Sequence, residues 1–471
     1  MNAIQDTKKR FTHWEAFLVE DKRDKLIAAF EEAPAADIAE FLEQQTLPVA
    51  VHYFLLLSQE MQASLFPHFR KEKQLEIYHK LPVSIFARIF EEIFSDVRAD
   101  FYLALDEKAK ARLLPYLSKQ VRKDVLLLSG YPPEKAGGIM TTEFVKVTNT
   151  TTAEEALAAV RGDVSSRKML YYLYIVNEKM QLVNVIDLKE LIIAEPKDQI
   201  ASFAEKKDLV FVRLGDDQEQ VAQQIAKYNL MAVPVLNNHD QIVGIVSYDD
   251  AIDIIRAEET EDMEKFMGII PDEKEQPYLH TPTNCHVRQR LPWLVFLLIL
   301  TTAGALIVHH YEKVLGNVTF LIVYLAMISD TGGNVGSQSA TVVIRALSLG
   351  ELSLKDWRRI VYKELKIALS VGGVLFLVSL LKLLIFLGFI FNKRFTEMGY
   401  SLWSSIGGIS TALFLQVITS ALIGTCLPLL IKKLGKDPAL AASPAITTLV
   451  DIIGSLIYLS LMCWLLGLKT A

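Results

Sequence analysis

An aspartate lies well inside a long apolar run in the last third of the sequence. Asp451 stands in SPAITTLVDIIGSLIYLSLMCWLL, residues 443–466. A charged side chain in such a run is costly in a bilayer unless it faces a helix-bundle interior or a water-filled cavity. On a helix, Thr447 and Thr448 precede it on the same side, and Gly454 follows it there. The alternative interpretation is an acid capped by these local hydroxyls near a helix start.

A second polar stretch follows the apolar run FLIVYLAM. Residues 328–339, ISDTGGNVGSQS, contain the acid Asp330, two amides, several hydroxyls and three glycines. The glycines favour close backbone packing or a helix break that frees carbonyl groups. Small residues that pack helices together are the alternative for the glycines. The amides and hydroxyls, Asn334 among them, favour a water-lined path instead.

One deep acid, many neutral oxygens and no intramembrane histidine cluster are typical of a path for a hard, hydrated cation. Mg²⁺ sheds its water reluctantly, so a site for it needs only a carboxylate and oxygens that contact the hydration shell. Two symmetry-related copies of Asp451 would supply two charges. Residue chemistry alone does not separate Mg²⁺ from Ca²⁺, Mn²⁺ or Co²⁺.

Composition divides the chain of 471 residues into a polar part and a membrane part. The sequence is 51% hydrophobic, and its long apolar runs all follow residue 290. Each run is long enough to cross about 30 Å of hydrocarbon. The sequence predicts five membrane-spanning helices at residues 291–310, 318–341, 360–391, 403–431 and 445–468.

Basic residues predict the orientation of these spans. The loops after the second and fourth spans are rich in lysine and arginine, whereas the first-to-second loop holds Lys313 and the third-to-fourth loop holds Lys393 and Arg394. The N-terminal stretch lacks the apolar core of a signal peptide. We therefore expect a multi-pass protein of the cell membrane with its N-terminus in the cytoplasm and its tail, residues 469–471, outside.

The N-terminal region reads as helical and contains a loose repeat. TLPVAV, KLPVSI and LLPYLS place Pro48, Pro82 and Pro115 at spacings of 34 and 33 residues. Such a period predicts stacked helix pairs, a small α-solenoid. Chance is the competing explanation of three copies.

From about residue 137, short β-rich runs alternate with amphipathic helices. Residues 212–255 follow the order strand–helix–strand–strand–helix, which resembles a CBS module, and the preceding stretch resembles its tandem partner. Asn184 stands in that partner where a glycine is common. ATP is a possible ligand of the pair.

An acidic run follows the second module. Residues 249–264 hold eight acids and one base, Arg256. A solvated helix face is the usual explanation of such a run. Here acids recur three and four positions apart, where like charges repel on a helix. Multivalent cations would relieve this repulsion.

The motifs TGGNVGSQSATVVIRAL, KDWRRIVYKEL and LGKDPALAASPAITTLVDIIGSLIYL resemble the MgtE family of magnesium channels. The resemblance implies a multidomain membrane protein that forms a homodimer, with the ion path between two membrane domains. Its expected parts are an all-α superhelical N-domain (1–136), an α/β tandem CBS domain (137–256), a connecting plug helix (257–290) and a five-helix α transmembrane domain (291–471).

The resemblance also implies roles for residues. It makes Asp451 the pore acid, with Asn334, Ala442, Ala445 and Thr448 near the pore. It implies that regulatory Mg²⁺ binds acids of the CBS pair, the connecting helix and the loop before the last span: Asp217, Glu219, Asp250, Asp253, Glu258, Glu261, Asp262 and Asp437. Two features depart from the family pattern, because Asn229 replaces an acid in the CBS helix and Arg256 interrupts the acidic face. Sensing with fewer ions, or weaker sensing, is the implied consequence.

Other functional classes are less consistent with the sequence. The net charge of −6 and the lack of a basic face argue against nucleic-acid binding. No nucleophile–base motif or metal-hydrolase spacing predicts an enzyme, and the three cysteines have no metal-site spacing. Two alternatives remain, a divalent-cation transporter coupled to Na⁺ or H⁺, and a membrane-anchored nucleotide sensor without transport.

Overall fold

The computed structural model describes residues 2–162, 171–203, 208–271, 278–279, 281–318, 320–390 and 401–468. The predicted orientation of the spans also rests on Lys393, Arg394 and the tail at 469–471. These residues lie outside the described ranges. The chain divides into two compact units, Met1–Arg256 and Ala257–Ala471.

The first part of unit one is helical and built from short helices. Many of them end because one buried apolar residue adopts an extended conformation, as Leu57, Leu81 and Leu105 do. The next helix then begins at a capping side chain, such as Asp106, whose carboxylate accepts from the Ala109 amide at 2.7 Å. The helices are α1 (Asn2–Val19), α2 (Arg23–Glu31), α3 (Ala35–Glu43), α4 (Leu47–Leu56), α5 (Gln59–Leu65), α6 (Lys71–Lys80), α7 (Val83–Glu92), α8 (Ser95–Ala104), α9 (Glu107–Leu113) and α10 (Lys119–Leu128).

The repeated prolines lie at or near helix starts of this stack, but not at equivalent positions, so the loose repeat stays a prediction. Pro48 is in the first turn of α4, Pro82 caps α7, and Pro115 is in a short 3-10 helix after α9. A continuous aromatic and aliphatic core runs from Trp14 to Val125. The predicted all-α N-terminal domain is confirmed.

The second part of unit one contains two modules of the same order. In each, the first strand pairs parallel with the second, and the second pairs antiparallel with the third. The predicted α/β tandem is confirmed. Helix α11 (Ala136–Ile139) precedes the first module and packs on the core of the second. The first module comprises β1 (Val145–Thr148), α12 (Ala153–Gly162), β2 (Tyr172–Val176), β3 (Leu182–Asp187) and α13 (Leu188–Ile193). After α14 (Ile200–Phe203), the second comprises β4 (Val212–Arg213), α15 (Gln218–Tyr228), β5 (Ala232–Leu236), β6 (Ile242–Ser247) and α16 (Tyr248–Phe266).

The two modules meet reciprocally at their hairpin turns. The Gln181 side chain donates to the His239 carbonyl at 3.0 Å, and Gln241 donates to the Lys179 carbonyl at 2.8 Å. Equivalent glutamines thus make equivalent bonds, which gives the pair a pseudo-twofold relation.

A buried polar joint connects α8 to the start of the first module. Arg98 donates to Glu143 at 2.8 Å, and the Ser95 and Thr141 hydroxyls lie 3.0 Å apart. The Arg98 and Glu143 side chains are only 5% and 18% exposed. Burial raises the pKa of Glu143 to about 7, although Arg98 opposes the shift.

The connecting segment differs from the prediction of one helix over 257–290. Helix α16 runs through residue 257 but ends at Phe266, and the next helix begins only at Thr283. Gly268 has φ +72°, a left-handed conformation that ends a helix readily. Pro271 and Pro282 also disfavour continuous helix.

Unit two is helical in its described residues beyond α16: α17 (Thr283–His310), α18 (Glu312–Asn317), α19 (Phe320–Ser348), α20 (Trp357–Ile390), α21 (Leu402–Lys433) and α22 (Ser443–Leu466). By length and composition, the candidate spans are α17, α21, α22 and the segment Leu354–Leu387, which contains most of α20. Helix α19 has 29 residues, enough to cross a bilayer, but its polar groups lower its hydropathy. Five membrane crossings therefore stay a prediction. None of the described α17 residues is buried within the single chain.

The polar stretch 328–339 forms part of α19, which is continuous through its glycines. A Cβ atom built on Gly424 of α21 would lie 2.1 Å from the Gly336 carbonyl oxygen. The two backbones are therefore in direct contact. Of the two expectations for these glycines, the structure shows close packing and not a helix break.

Candidate functional site

Helix α22 begins at Ser443 with Pro444 in its first turn. The Thr447 hydroxyl donates to the Ser443 carbonyl at 3.0 Å, and the Thr448 hydroxyl donates to the Pro444 carbonyl at 2.9 Å. Both hydroxyls are bonded one turn back and do not cap Asp451. Asp451 is half-buried, and its Oδ1 atom has no hydrogen-bond partner among the described residues.

Hydroxyl groups join α19 to the start of α22. Ser443 donates to Ser337 at 2.9 Å, and Ser337 lies 3.4 Å from the Thr447 hydroxyl. Gly333 makes this approach possible, since a Cβ there would be 2.8 Å from Thr447 Cγ2. The two polar stretches found in the sequence are therefore in contact.

One face of α19 is polar and exposed in the single chain. Asp330, Asn334, Gln338 and Thr341 follow one another at three- and four-residue spacing, and all four are exposed. The charge of Asp330 acts on the Asp451 carboxylate, so a second acid belongs to the surroundings of the predicted pore acid. The role of Asp451 in an ion path stays a prediction.

The remaining pore candidates occupy different surroundings. Ala442 caps α22 and is fully buried, while Ala445 and Thr448 are half-buried. Ala442 therefore lies inside the helix bundle of its own chain. Asn334 is on the exposed face of α19.

The predicted regulatory acids of unit one are already paired or capping. Asp217 caps α15 and lies 3.1 Å from the Lys135 ammonium, and Glu219 is in the first turn of that helix. Asp250 accepts a hydrogen bond from Ser247 at the start of α16. Asp253 is exposed on the same helix, 3.7 Å from Arg256.

The regulatory acids of unit two surround a lysine. Lys265 lies 2.7 Å from Glu261 and 2.8 Å from Asp437, which begins the short 3-10 helix Pro438–Leu440 before α22. Burial, followed by the charge of Asp437, raises the pKa of Asp262. Glu258 is half-buried on α16.

Within the described ranges, no group of three or more His, Cys, Asp or Glu side chains is arranged to hold a metal ion. The predicted metal residues are therefore not assembled into one cluster by the single chain. Hydration-shell contact, which needs few direct ligands, is consistent with this arrangement.

Two residues in these surroundings were not predicted from the sequence. Lys265 is the basic neighbour of the acidic run and directly follows residues 249–264. Gln416 is 1% exposed inside α21. A lone amide in an otherwise apolar span was the signal that marked it.

Comparison with known proteins gives three consecutive family matches. Residues 33–134 match the MgtE intracellular N domain, residues 136–197 and 201–257 match CBS domains, and residues 325–461 match the MgtE family, described as a divalent cation transporter. The magnesium transporter MgtE of Thermus thermophilus is 37% identical over 342 residues, which cover 72% of this chain and 72% of the relative. The chain belongs to the MgtE family. The resemblance noted in the sequence is confirmed.

Other comparisons agree with membership of the MgtE family. The magnesium transporter MgtE of Bacillus subtilis is 33% identical over 343 residues, 71% of this chain and 70% of the relative. A crystal structure of the soluble part of a magnesium transporter aligns with a TM-score of 0.50 and 29% identity, covering 54% of this chain and 99% of that one. This MgtE family member therefore has the predicted fold class: a helical N-terminal domain, CBS modules and an apolar helical C-terminal part.

Proposed function

We propose that this MgtE family member is a homodimeric, Mg²⁺-selective channel of the cell membrane, with a cytoplasmic N-terminus and an external C-terminus. The exposed polar face of α19 carries the proposal, because such a face is costly against lipid and suits a water-filled path beside a second subunit. The relatives from Thermus thermophilus and Bacillus subtilis are magnesium transporters, which supports the choice of ion.

In the proposed mechanism, Mg²⁺ enters with most of its hydration shell. The Asp451 carboxylates of two subunits attract the ion and accept hydrogen bonds from its water molecules. Asn334 and Gln338 present neutral oxygens to the same shell from α19. Neutral groups bind weakly enough to let the ion leave, so conduction does not stall.

The test of the pore assignment is Mg²⁺ uptake into proteoliposomes by the full chain carrying Asp451→Asn. We expect uptake to fall to the level of empty vesicles at matched protein. Glu351→Gln is the control, since Glu351 is an exposed acid outside the spanning segments. Wild-type uptake by folded Asp451→Asn protein would remove the pore assignment.

We propose that cytosolic Mg²⁺ closes the channel. The supporting observation is the run of acids along α16, which includes Asp250, Asp253 and Glu258 and repels itself without counter-ions. Mg²⁺ binds more tightly to a conformation in which more of these acids lie close together. Bound Mg²⁺ therefore shifts the population towards that conformation, which is the closed one in this proposal. Asp217, Glu219, Glu261, Asp262 and Asp437 complete the proposed regulatory set.

Neutralisation of Asp250, Asp253 and Glu258 tests this regulation. We expect flux through the triple variant to persist at internal Mg²⁺ concentrations that close the wild-type channel. Normal closure by this variant would exclude the three acids as sensors.

A transporter coupled to Na⁺ or H⁺ is the second candidate. The interacting carboxylates of Asp330 and Asp451 favour it, because paired intramembrane acids are typical of proton relays. Mg²⁺ flux that depends on an imposed Na⁺ or pH gradient would support coupling. Flux driven by the Mg²⁺ gradient alone supports a channel.

ATP binding by the CBS pair is a further proposal. A cavity of about 270 Å³ in the second module offers aromatic rings and a cation, which suit a purine and a phosphate. It is lined by Leu209, Val210, Phe211, Gln224, Lys227 and Tyr228. ATP titration of the purified chain, with Lys227→Met compared, tests this proposal.

A further inference from the structure

Gln416 lies at a three-helix contact in the middle of α21. Its side-chain Nε2 donates to the Val450 carbonyl of α22 at 3.0 Å. Val450 directly precedes Asp451, so the bond contacts the backbone that carries the proposed pore acid. Gln416 is only 1% exposed, and water therefore cannot readily replace this donor.

Glycines from two other helices enclose the amide. A Cβ atom on Gly332 of α19 would lie 2.4 Å from Gln416 Nε2, and one on Gly454 of α22 would lie 2.3 Å from the same atom. Both positions must lack a side chain for the amide to fit. The amide is thus enclosed by α19 and α22 while it donates to α22. These contacts restrict the position of α22 along the membrane normal and its rotation about its own axis.

We propose that Gln416 is a positioning residue for conduction, which holds α22 so that the Asp451 carboxylate faces the ion path at the correct height. This inference rests on the proposed role of Asp451. Gln416 itself does not contact the ion. Its loss would leave the carboxylate present but misplaced, and binding of a hydrated ion in the path would weaken.

Gln416→Met tests the proposal, because methionine keeps the length of the side chain and removes the donor. The matched control is Ser410→Ala on the same helix. The Ser410 hydroxyl is fully buried and donates to Ser379 of α20 at 3.2 Å, so this variant also loses a buried interhelical bond. Proteoliposome flux gives the half-saturating Mg²⁺ concentration and the Mg²⁺-to-Ca²⁺ rate ratio. Thermal unfolding in detergent reports folding.

We expect Gln416→Met to raise the half-saturating Mg²⁺ concentration by about 3-fold to 18-fold, the factor equivalent to one interhelical hydrogen bond in a membrane. The rate ratio should fall towards one. Ser410→Ala should leave both quantities unchanged even if its thermal midpoint drops. Folded Gln416→Met protein with wild-type values of both quantities would overturn the proposal.

If Gln416→Met does not fold, the Gln416→Glu variant tests the positioning role instead. A neutral glutamic acid donates as the amide does, whereas its carboxylate cannot. The half-saturating concentration relative to wild type should therefore rise between about pH 4.5 and about pH 9.5, a range that spans the ordinary and the burial-raised pKa of a glutamic acid. A ratio of one across this whole range contradicts the positioning role.

Asp451→Asn in the same assay separates the two proposals. If it conducts as wild type, the pore assignment fails and the positioning role fails with it. If it abolishes flux while Gln416→Met behaves as wild type, only the positioning role fails.

Discussion

The ammonium of Lys265 lies 2.8 Å from Asp437, a residue 172 positions further along the chain, and also 2.7 Å from Glu261. Burial opposes the charge of Lys265, but the hydrogen bonds to Asp437 and Glu261 outweigh this and raise its pKa. One side-chain cation thus neutralises two acids of the proposed regulatory set. A divalent ion that binds these acids must compete with Lys265.

Replacement of Lys265 should increase the stabilisation of the chain by Mg²⁺. Lys265→Gln leaves Glu261, Asp262 and Asp437 without their counter-ion, and their mutual repulsion lowers stability in the absence of Mg²⁺. We expect the thermal midpoint to fall without Mg²⁺ and the rise on adding Mg²⁺ to exceed that of wild type.

Lys108→Gln is the control for Lys265→Gln. Lys108 is an exposed cation of α9 outside the proposed regulatory set, so its removal should change neither quantity measurably. An unchanged Mg²⁺ response in Lys265→Gln would show that the lysine and the ion do not share a site.

The joint at Glu143 predicts a pH dependence of stability. Its pKa in the folded chain, about 7, lies above the ordinary value of 4.5. The folded state therefore favours the neutral acid. This contribution to the free energy of unfolding is complete below pH 4.5 and is lost as the pH rises through 7. The whole loss is at most about 3 kcal/mol. Arg98, which attracts the carboxylate, and Asp96, which repels it, are the charges that face it.

In the wild-type chain, the thermal midpoint should fall as the pH rises from about 5 to about 8. Glu143→Gln should reduce this fall. Thermal unfolding of the purified full chain across that range measures the slope. Glu107→Gln serves as control, because its side chain is 90% exposed and should leave the slope as in wild type. An identical slope for Glu143→Gln and wild type would contradict the burial argument.

The contact of Gly424 with Gly336 predicts that alanine is not tolerated there. Gly424→Ala forces apart α19 and α21, which should cost about 1–3 kcal/mol of stability in detergent. Gly407→Ala on α21 is the matched control, since a Cβ there meets nothing within 4 Å. Equal thermal midpoints for the two variants would show that the backbones are not packed as described.

The helices and strands that depend on periodicity and composition were predictable from the sequence. Helical spacing and apolar length predicted the last three helices to within three residues at each end, whereas α19 continues seven residues beyond the predicted end at 341, and β-rich runs located the strands. Helix α17 begins eight residues before the predicted first span, at Thr283, in a stretch that is mostly polar and basic. The break after Phe266 depends on Gly268 adopting positive φ, which composition does not reveal.

The candidate site was only partly predictable for a related reason. Individual polar residues such as Asp451 and Asn334 stand out from apolar neighbours in any sequence reading. Their pairing with Asp330, or the bond from Gln416 to Val450, depends on which helix faces which. Lys265 and Asp437 are separated by 172 positions, so no local pattern connects them.

The first span, α17, buries none of its described side chains within one subunit, although Ile307 and Val308 pack in part against the helix bundle. A Cβ atom on Gly304 would meet Ile452, next to Asp451, at 3.6 Å. In the proposed homodimer the uncovered apolar side of α17 is left to lipid or to the second subunit, so whatever covers it also borders the surroundings of Asp451.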